Sequence, residues 1–330
     1  MAIPAFTSGN PLADRRADYA AMLLESGDAV AAAELMAQSL ELAPEWAAGW
    51  YRLGEMLETA GDRDGAVDAW RAALRIDGTD PFGATLKLGL AGAAPDVTSM
   101  PPAFVETLFD QYADDFDSAL VERLDYRAPE LLQAAIESAH ADMFASMMDL
   151  GCGTGLMGER MRHNTSFLAG VDLSGEMLRL AQSKGIYDHL EHADINAMPK
   201  SEGGQPDLVT AADVFMYLGD LATAFAWVAQ ALMPGGHFAF SVEHHEGDGE
   251  FQLRSSRRYA HSRGYIEMLL TSNGFEIVSV TEDVIRKDRG EPVRGLIVVA
   301  RRPVPCVHDV FAAALDKGDE AGVSATARTH

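Results

Sequence analysis

The sequence predicts an α/β protein with a largely parallel sheet, preceded by a small all-α domain. Its 330 residues suggest two domains, and an apolar content of 48% suffices for a buried core. Apolar residues recur with a helical period as far as about residue 139. Beyond that point short apolar runs alternate with amphipathic stretches, which favours βαβ units.

The N-terminal part contains an internal repeat with a period of 34 residues over residues 18–81. Gly27-Asp28 recurs as Gly61-Asp62, and each pair predicts a turn between two amphipathic helices. Fewer than three repeats rarely form a stable unit, so we expect them to pack on the rest of the chain. The predicted boundaries are a tail over 1–14, helical repeats over 15–91 and a linker over 92–103.

The second unit resembles the tetratricopeptide (TPR) pattern at positions that set helix packing. These positions are Trp50, Leu53-Gly54, Ala66, Trp70 and Ala73. Small residues let two helices approach closely, and the tryptophans fill the gaps between them. The resemblance leaves three roles open: a groove for a peptide, a surface for self-association, and a cap that shapes the rest of the chain.

Residues 104–139 are helical in period and strongly acidic. Strand candidates follow at Met147–Leu150, Phe167–Val171, His189–Ala193, Leu208–Ala212, His237–Val242, Glu276–Thr281 and Gly295–Ala300. Helices are predicted at Leu156–His163, Ser174–Lys184, Leu221–Leu232 and Ser262–Ser272. No helix separates the last two strands, so one of them should run antiparallel. The composition of residues 303–330 predicts a disordered tail.

A glycine turn between a strand and a helix is the sharpest chemical signal. The segment from Asp149 to Gly155 has glycine at every second position, which allows a tight turn and close approach to a ligand. Gly153 and Gly155 also begin a G-x-G-x-x-G pattern, typical of dinucleotide binding. An NAD-dependent oxidoreductase is therefore one alternative.

Acidic residues follow three successive strands and favour a different ligand. Asp149, Asp172 and Asp194 each stand at a strand end, where a pyrophosphate would be repelled. This arrangement suits a ligand that carries no phosphate and a net positive charge. S-adenosylmethionine (SAM) has these properties.

The D-x-G-x-G-x-G motif and the two later acids resemble class I SAM-dependent methyltransferases over about residues 104–302. The resemblance implies a Rossmann-like seven-stranded sheet with a lid helix over 104–139. The order of the two parts, helical repeats followed by this domain, resembles a bacterial group of predicted methyltransferases that carry N-terminal TPR repeats. By this resemblance the SAM contacts would be Tyr112, Asp149, Gly151, Gly153, Gly155, Asp172, Leu173, Met177, Asp194, Ile195 and Ala212.

A general base is needed only where the acceptor must lose a proton. The candidates after the fourth and fifth strands are Tyr217, His244, Tyr259 and His261. A histidine titrates near neutrality and could take this role. The alternatives are a polar loop position for His244 and a capping or packing role for His261.

The region from Arg254 to Arg302 departs from the overall charge, with 10 Lys and Arg against 6 acids. Arginine pairs well with a carboxylate or phosphate, so we expect an anionic acceptor held by Arg258, with Tyr217 and Tyr259 beside it. The alternative is that these arginines dock on the acidic helical segments.

The composition also limits the classes of partner. The formal net charge is −24, which disfavours nucleic acid and anionic membranes. Two cysteines and no histidine cluster predict a reducing compartment and no metal. The N-terminus lacks a signal pattern, so a cytoplasmic protein is expected. Two functions stay open: a methyltransferase acting on a small anionic metabolite, and a TPR module that guides peptide methylation or only senses SAM.

Overall fold

Nine strands are present in the computed structural model, which describes residues 6–94, 97–112, 124–198 and 204–304. They are β1 (Phe144–Leu150), β2 (Thr165–Asp172), β3 (His189–His192), β4 (Leu208–Ala211), β5 (His237–Glu243), β6 (Phe251–Leu253), β7 (Tyr259–His261), β8 (Glu276–Asp288) and β9 (Glu291–Arg301). Seven form one sheet in the order β3-β2-β1-β4-β5-β9-β8. β9 runs antiparallel to the six other strands of this sheet, which confirms the predicted α/β sheet with an antiparallel last strand.

The order of the strands creates a crevice beside β1. The chain winds from β1 to β2 and β3 on one side, and from β4 to β5 on the other. In such sheets ligands bind outside the carboxyl ends of the strands at this switch point. The glycine turn follows β1 directly, so the fold brings it to this crevice.

Helices cover both faces of the sheet because its strands are apolar on both sides. Along β5, Phe238, Phe240 and Val242 join one core while Ala239 joins the other. The covering helices are α7 (Ala128–Ala139), α8 (Leu156–Met161), α9 (Gly175–Lys184), α10 (Ala222–Ala231) and α11 (Arg263–Ser272). Ser174 caps α9 by accepting from the Met177 N–H at 3.1 Å.

The N-terminal helices confirm the predicted turns at the Gly-Asp pairs. They are α1 (Pro11–Glu25), α2 (Ala29–Leu40), α3 (Ala47–Ala60), α4 (Arg63–Ile76), α5 (Ala84–Leu90) and α6 (Pro102–Tyr112). Asp28 and Asp62 cap α2 and α4. Gly54 lies against Trp70: a Cβ on Gly54 would stand 2.2 Å from the indole nitrogen. The helices therefore pack as the repeat pattern predicts, while membership in the TPR family stays a prediction.

Two helical segments replace the single helix expected over 104–139. Residues 124–127 are not helical, and residues 113–123 lie outside the described part of the chain. α7 packs through Leu132 and Ile136 on the sheet core. α7 is therefore one of the helices that cover the sheet, and the prediction that it forms part of a lid helix is wrong.

The C-terminal strands are longer than predicted. The strand expected over 276–281 continues to Asp288, and its partner begins at Glu291. The extension is rich in charged residues, so its sequence lacks the apolar signal of a buried strand. β6 and β7 form a separate hairpin that was not predicted. The tail over 303–330 falls outside the described residues from 305 onward.

The helical region and the sheet domain meet along residues 97–109. Met100 is buried, and its N–H donates to the Tyr217 carbonyl at 2.9 Å. Tyr259 donates its hydroxyl to the Val97 carbonyl at 2.8 Å. The described part of the predicted linker is thus packed against the sheet domain.

Candidate functional site

A cavity of about 690 Å³ lies at the carboxyl ends of β1, β2 and β4. This volume is in the range of pockets that enclose small molecules. Its walls come from the glycine turn, the ends of β2 and β4, helix α6 and the β6–β7 hairpin. Eight of the predicted SAM contacts line it: Gly151, Gly153, Asp172, Leu173, Met177, Asp194, Ile195 and Ala212.

The glycine turn needs glycine for two different reasons. Gly151 has φ +63°, and a Cβ there would stand 2.3 Å from Cγ2 of Val214. Gly153 has φ +53°, but no heavy atom lies within 4 Å of its Cβ position. The first glycine allows the turn to pack on the loop after β4, and the second leaves open space beside the cavity.

Asp172 connects the turn to the end of β2. Its carboxylate accepts from the Gly153 N–H and the Ser174 N–H, each at 2.8 Å. Burial raises its pKa, and the backbone donors oppose that shift. Asp194 similarly accepts from the Asn196 N–H at 2.8 Å and lines the cavity. The cavity therefore has two fixed carboxylates at adjacent strand ends.

Asp149 does not line the cavity, contrary to its predicted contact with the ligand. Its oxygens accept from the hydroxyls of Thr210 and Tyr187, each at 2.7 Å. Burial raises its pKa to about 6. Asp149 therefore bonds to Thr210 and Tyr187 beneath the turn and does not face the cavity. Gly155, with φ +97°, packs against Tyr187 and is likewise absent from the lining.

A second wall of the cavity carries two arginines, Arg258 and Arg286, with Asp213 beside the latter. Arg258 and Tyr217 line the cavity, as predicted for substrate contacts. Arg258 also approaches Asp288, at 3.5 Å. Tyr217 packs edge-on against Phe109 of α6, with 5.4 Å between ring centroids. Burial raises the pKa of Tyr217, so its phenol is a poor base near neutrality.

Arg286 is the residue that sequence reasoning missed. It lies on β8, lines the cavity and is only 1% exposed. Its guanidinium bonds both oxygens of Asp213 at 2.5 Å and also reaches Glu243. Burial alone would lower its pKa, but Asp213 and Glu243 outweigh burial and raise it. A single arginine among other charged residues does not indicate a buried strand. Arg286 could have been identified only if the full length of β8 had been predicted.

Three of the four predicted catalytic residues are placed away from the cavity. His261 is fully buried and contacts the Gly219 carbonyl at 3.0 Å; burial lowers its pKa to about 4. Tyr259 is fully buried and bonded to Val97, so it is also wrong as a substrate contact. His244 pairs with Glu282 at 3.4 Å. None of the three lines the cavity. Tyr259 and His261 lie on the unpredicted strand β7, and His244 directly follows β5.

Tyr112 stays a prediction. It ends α6, and its side chain lies outside what the structure describes. Within the described ranges, no group of three or more His, Cys, Asp or Glu is placed to hold a metal ion. In the same ranges, no helix is both long and apolar enough to cross a bilayer.

The segment that contains the glycine turn matches a known protein family. Residues 148–240 match the family model described as "Methyltransferase domain". The match includes the turn and the ends of β2 and β4, and it favours the methyltransferase interpretation over the nicotinamide alternative. Over residues 148–240 the chain is therefore similar to methyltransferase domains.

Curated relatives match this region in part. A malonyl-[acyl-carrier protein] O-methyltransferase of Pseudescherichia vulneris is 31% identical over 138 residues, which are 42% of this chain and 53% of the relative. A ubiquinone biosynthesis O-methyltransferase of Ralstonia nicotianae is 31% identical over 102 residues, 30% of this chain and 43% of the relative. The chain thus spans about half the length of the curated relatives it matches.

A solved structure shares the fold. It is the 1,6-didemethyltoxoflavin-N1-methyltransferase of Burkholderia thailandensis, determined with 1,6-didemethyltoxoflavin and S-adenosylhomocysteine bound. The TM-score is 0.50 at 18% identity, covering 64% of this chain and 92% of that one. At this identity the likeness establishes the fold alone.

Proposed function

We propose that this chain transfers a methyl group from SAM to a small anionic acceptor. One observation carries the proposal: a single cavity is lined by the carboxylates of Asp172 and Asp194, on what we call the first wall, and by the guanidinium of Arg258, on a second wall. A cationic, hydroxyl-rich cofactor suits the first wall, and an anionic acceptor suits the second.

The residues of the first wall fit SAM. Asp172 and Asp194 are hydrogen-bond acceptors for hydroxyl and amino groups, and each is already oriented by a backbone N–H. The open space at Gly153 leaves room for a ligand close to the backbone. When bound, SAM supplies a methyl carbon attached to a positively charged sulfur.

The remaining residues would align the acceptor and exclude water. Arg258 would hold the anionic group, and Tyr217 lies on the cavity wall beyond the end of β4. Val105, Leu108 and Phe109 of α6 cover this side with apolar surface. Methyl transfer depends mainly on alignment in a dry site, so the chain needs no nucleophile of its own.

The named activities of the relatives support an oxygen acceptor. Both curated relatives are named O-methyltransferases. A carboxylate oxygen would suit this cavity, because it is ionised at neutral pH and can be held by arginine without losing a proton. A peptide methylated under guidance of the N-terminal helices, and a chain that only senses SAM, are the competing functions.

Two measurements test the proposal. Isothermal titration with SAM and with S-adenosylhomocysteine should show one site per chain, and a chain that binds neither refutes the proposal. An assay for S-adenosylhomocysteine formation should then be run with carboxylates, phenols, amines and peptides as acceptors. Turnover only with peptides would favour the competing peptide methyltransferase.

Arg258→Gln supplies the second test once an acceptor is found. We expect it to raise the acceptor KM roughly tenfold or more, since a charge-assisted hydrogen bond is lost. Arg258→Lys keeps the charge but not the paired donors, so its acceptor KM should lie between those of the wild type and Arg258→Gln. An unchanged KM in Arg258→Gln would exclude Arg258 as the acceptor anchor.

A further inference from the structure

The turn that carries Arg258 contacts the N-terminal helices. Arg258 stands at the end of the turn that joins β6 to β7. The backbone closes this turn with two hydrogen bonds, from Arg257 N–H to the Arg254 carbonyl at 2.8 Å and from Arg254 N–H to the Arg258 carbonyl at 2.9 Å. A displacement of the turn would therefore move Arg258.

Arg257 adopts a backbone conformation that its side chain disfavours. Its φ is +63°, in the left-handed region that glycine or asparagine usually occupies. A hairpin turn of this length commonly needs one residue in that region, because the left-handed residue matches the twist of the strands. Arginine persists there only when surrounding contacts compensate for the strain.

Those contacts come from the N-terminal region. Nη1 of Arg257 donates to the Tyr51 hydroxyl of α3 at 3.1 Å. The same guanidinium lies over the ring of Phe104 at 5.1 Å from the centroid, a cation–π contact. The Tyr51 hydroxyl in turn donates to Glu55 at 3.2 Å, and Tyr51 and Phe104 are both 7% exposed. Arg257 is thus anchored in a largely buried polar and aromatic pocket outside the cavity.

Arg254 fixes the other side of the turn. It approaches Glu243 at 3.2 Å and donates to the His244 carbonyl at 2.6 Å, both at the end of β5. The turn is therefore held at one end by the sheet and at the other by the helical region. Arg258, between these anchors and β7, faces the cavity.

We propose that Tyr51 and Arg257 are positioning residues for Arg258, so that the helical region completes the acceptor site. This inference rests on the proposed function, because it assigns Arg258 to an anionic acceptor. It assigns the helical region a role in the affinity for small anions, which is a specific form of the cap, one of the three roles that the repeat pattern left open.

The test uses the full-length chain saturated with S-adenosylhomocysteine and malonate as the anionic probe. Malonate is added in the millimolar range against sodium chloride of equal ionic strength, and its affinity is taken from the shift in melting temperature. We expect Arg258→Gln to abolish the shift. Arg257→Gly accepts the left-handed backbone but loses the contacts to Tyr51 and Phe104, and should weaken malonate binding roughly tenfold.

Three further variants separate positioning from general destabilisation. Tyr51→Phe removes only the hydroxyl and should weaken malonate binding roughly threefold. Arg263→Gln removes an exposed arginine nearby that pairs with Glu267, and should change nothing. In an Arg258→Lys background, where part of the malonate affinity should remain, Arg257→Gly should cause a smaller loss than it does in the wild type. The affinity for S-adenosylhomocysteine should stay unchanged in all of these variants.

Each outcome decides between the inference and the proposed function. If Arg257→Gly and Tyr51→Phe bind malonate like the wild type while Arg258→Gln does not, Tyr51 and Arg257 are not positioning residues. The proposal of an anionic acceptor is then retained. If malonate has no effect beyond that of sodium chloride on the wild type, the anionic acceptor and the inference both fail. If S-adenosylhomocysteine does not bind, the methyltransferase proposal itself fails.

Discussion

The wall of the cavity that carries Gly153, Asp172 and Asp194 comes from one continuous stretch, residues 151–195. The second wall combines Arg258, Arg286 and helix α6, which come from three separate elements of the chain. The first wall is fixed by strand ends, turns and caps, which are local features. The second depends on contacts between distant elements, so it should respond more to changes that lie outside the cavity.

The largest expected effect comes from the buried ion cluster of the second wall. Arg286→Met leaves Asp213 buried without its partner and Glu243 with Arg254 alone, and should lower the free energy of unfolding by about 3–5 kcal/mol. Urea denaturation measures this directly. Arg301→Met is the matched control on the neighbouring strand. Its exposed pair with Glu276 at 2.7 Å should contribute less than about 1 kcal/mol. Equal losses in the two variants would contradict the special role of the cluster.

The second change alters the backbone of the first wall at the glycine turn. Gly151→Ala places a methyl group against Val214 and requires a left-handed backbone, so we expect a loss of about 2–4 kcal/mol in stability. Binding of S-adenosylhomocysteine by titration should fall at least tenfold. Gly175→Ala is the control, because nothing lies within 4 Å of its Cβ position. Tight binding by Gly151→Ala would show that the turn tolerates a side chain.

A third change removes a single carboxylate from the first wall. Asp172→Ala removes an acceptor of two backbone N–H groups and the expected partner of the ribose hydroxyls. We expect the affinity for SAM to fall by about 1–3 kcal/mol in titration calorimetry. Glu176→Ala, an exposed acid in the first turn of α9, should leave it unchanged. A comparable loss in both variants would mean that overall charge, and not Asp172, attracts the cofactor.

The smallest expected effect concerns pH. The pKa of His261 falls from 6.5 in the unfolded chain to about 4 in the fold, because burial disfavours the charged form. The unfolded chain therefore binds more protons between these values, and stability falls as the pH falls through them. Between about pH 7 and about pH 5.5 this loss is roughly 1 kcal/mol.

His261→Gln should remove that part of the acid destabilisation. Exposed His189→Gln is the control and should retain it. Denaturation curves at both pH values supply the comparison. We also expect His261→Gln to retain methyl transfer, because His261 does not line the cavity. A complete loss of turnover in a stably folded His261→Gln would restore the histidine as a catalytic candidate.

The first wall could be predicted because its information is local. A strand that runs into a glycine turn, and an acid that follows each of the next two strands, predict where Gly153, Asp172 and Asp194 will lie. Asp149 shows the limit of this reasoning. It has the same relation to its strand, but its carboxylate faces Thr210 and Tyr187 instead of the cavity.

The sequence by itself determined the α/β sheet, its antiparallel last strand and the position of the glycine turn, because periodicity and turn residues act over short distances. It also placed Arg258 among acceptor candidates through the local excess of positive charge. That local charge applies equally to the adjacent Arg257, so it gave no physical reason to prefer Arg258. The tertiary structure supplied the distinction: Arg257 has a left-handed conformation and contacts Tyr51 and Phe104, whereas Arg258 lines the cavity.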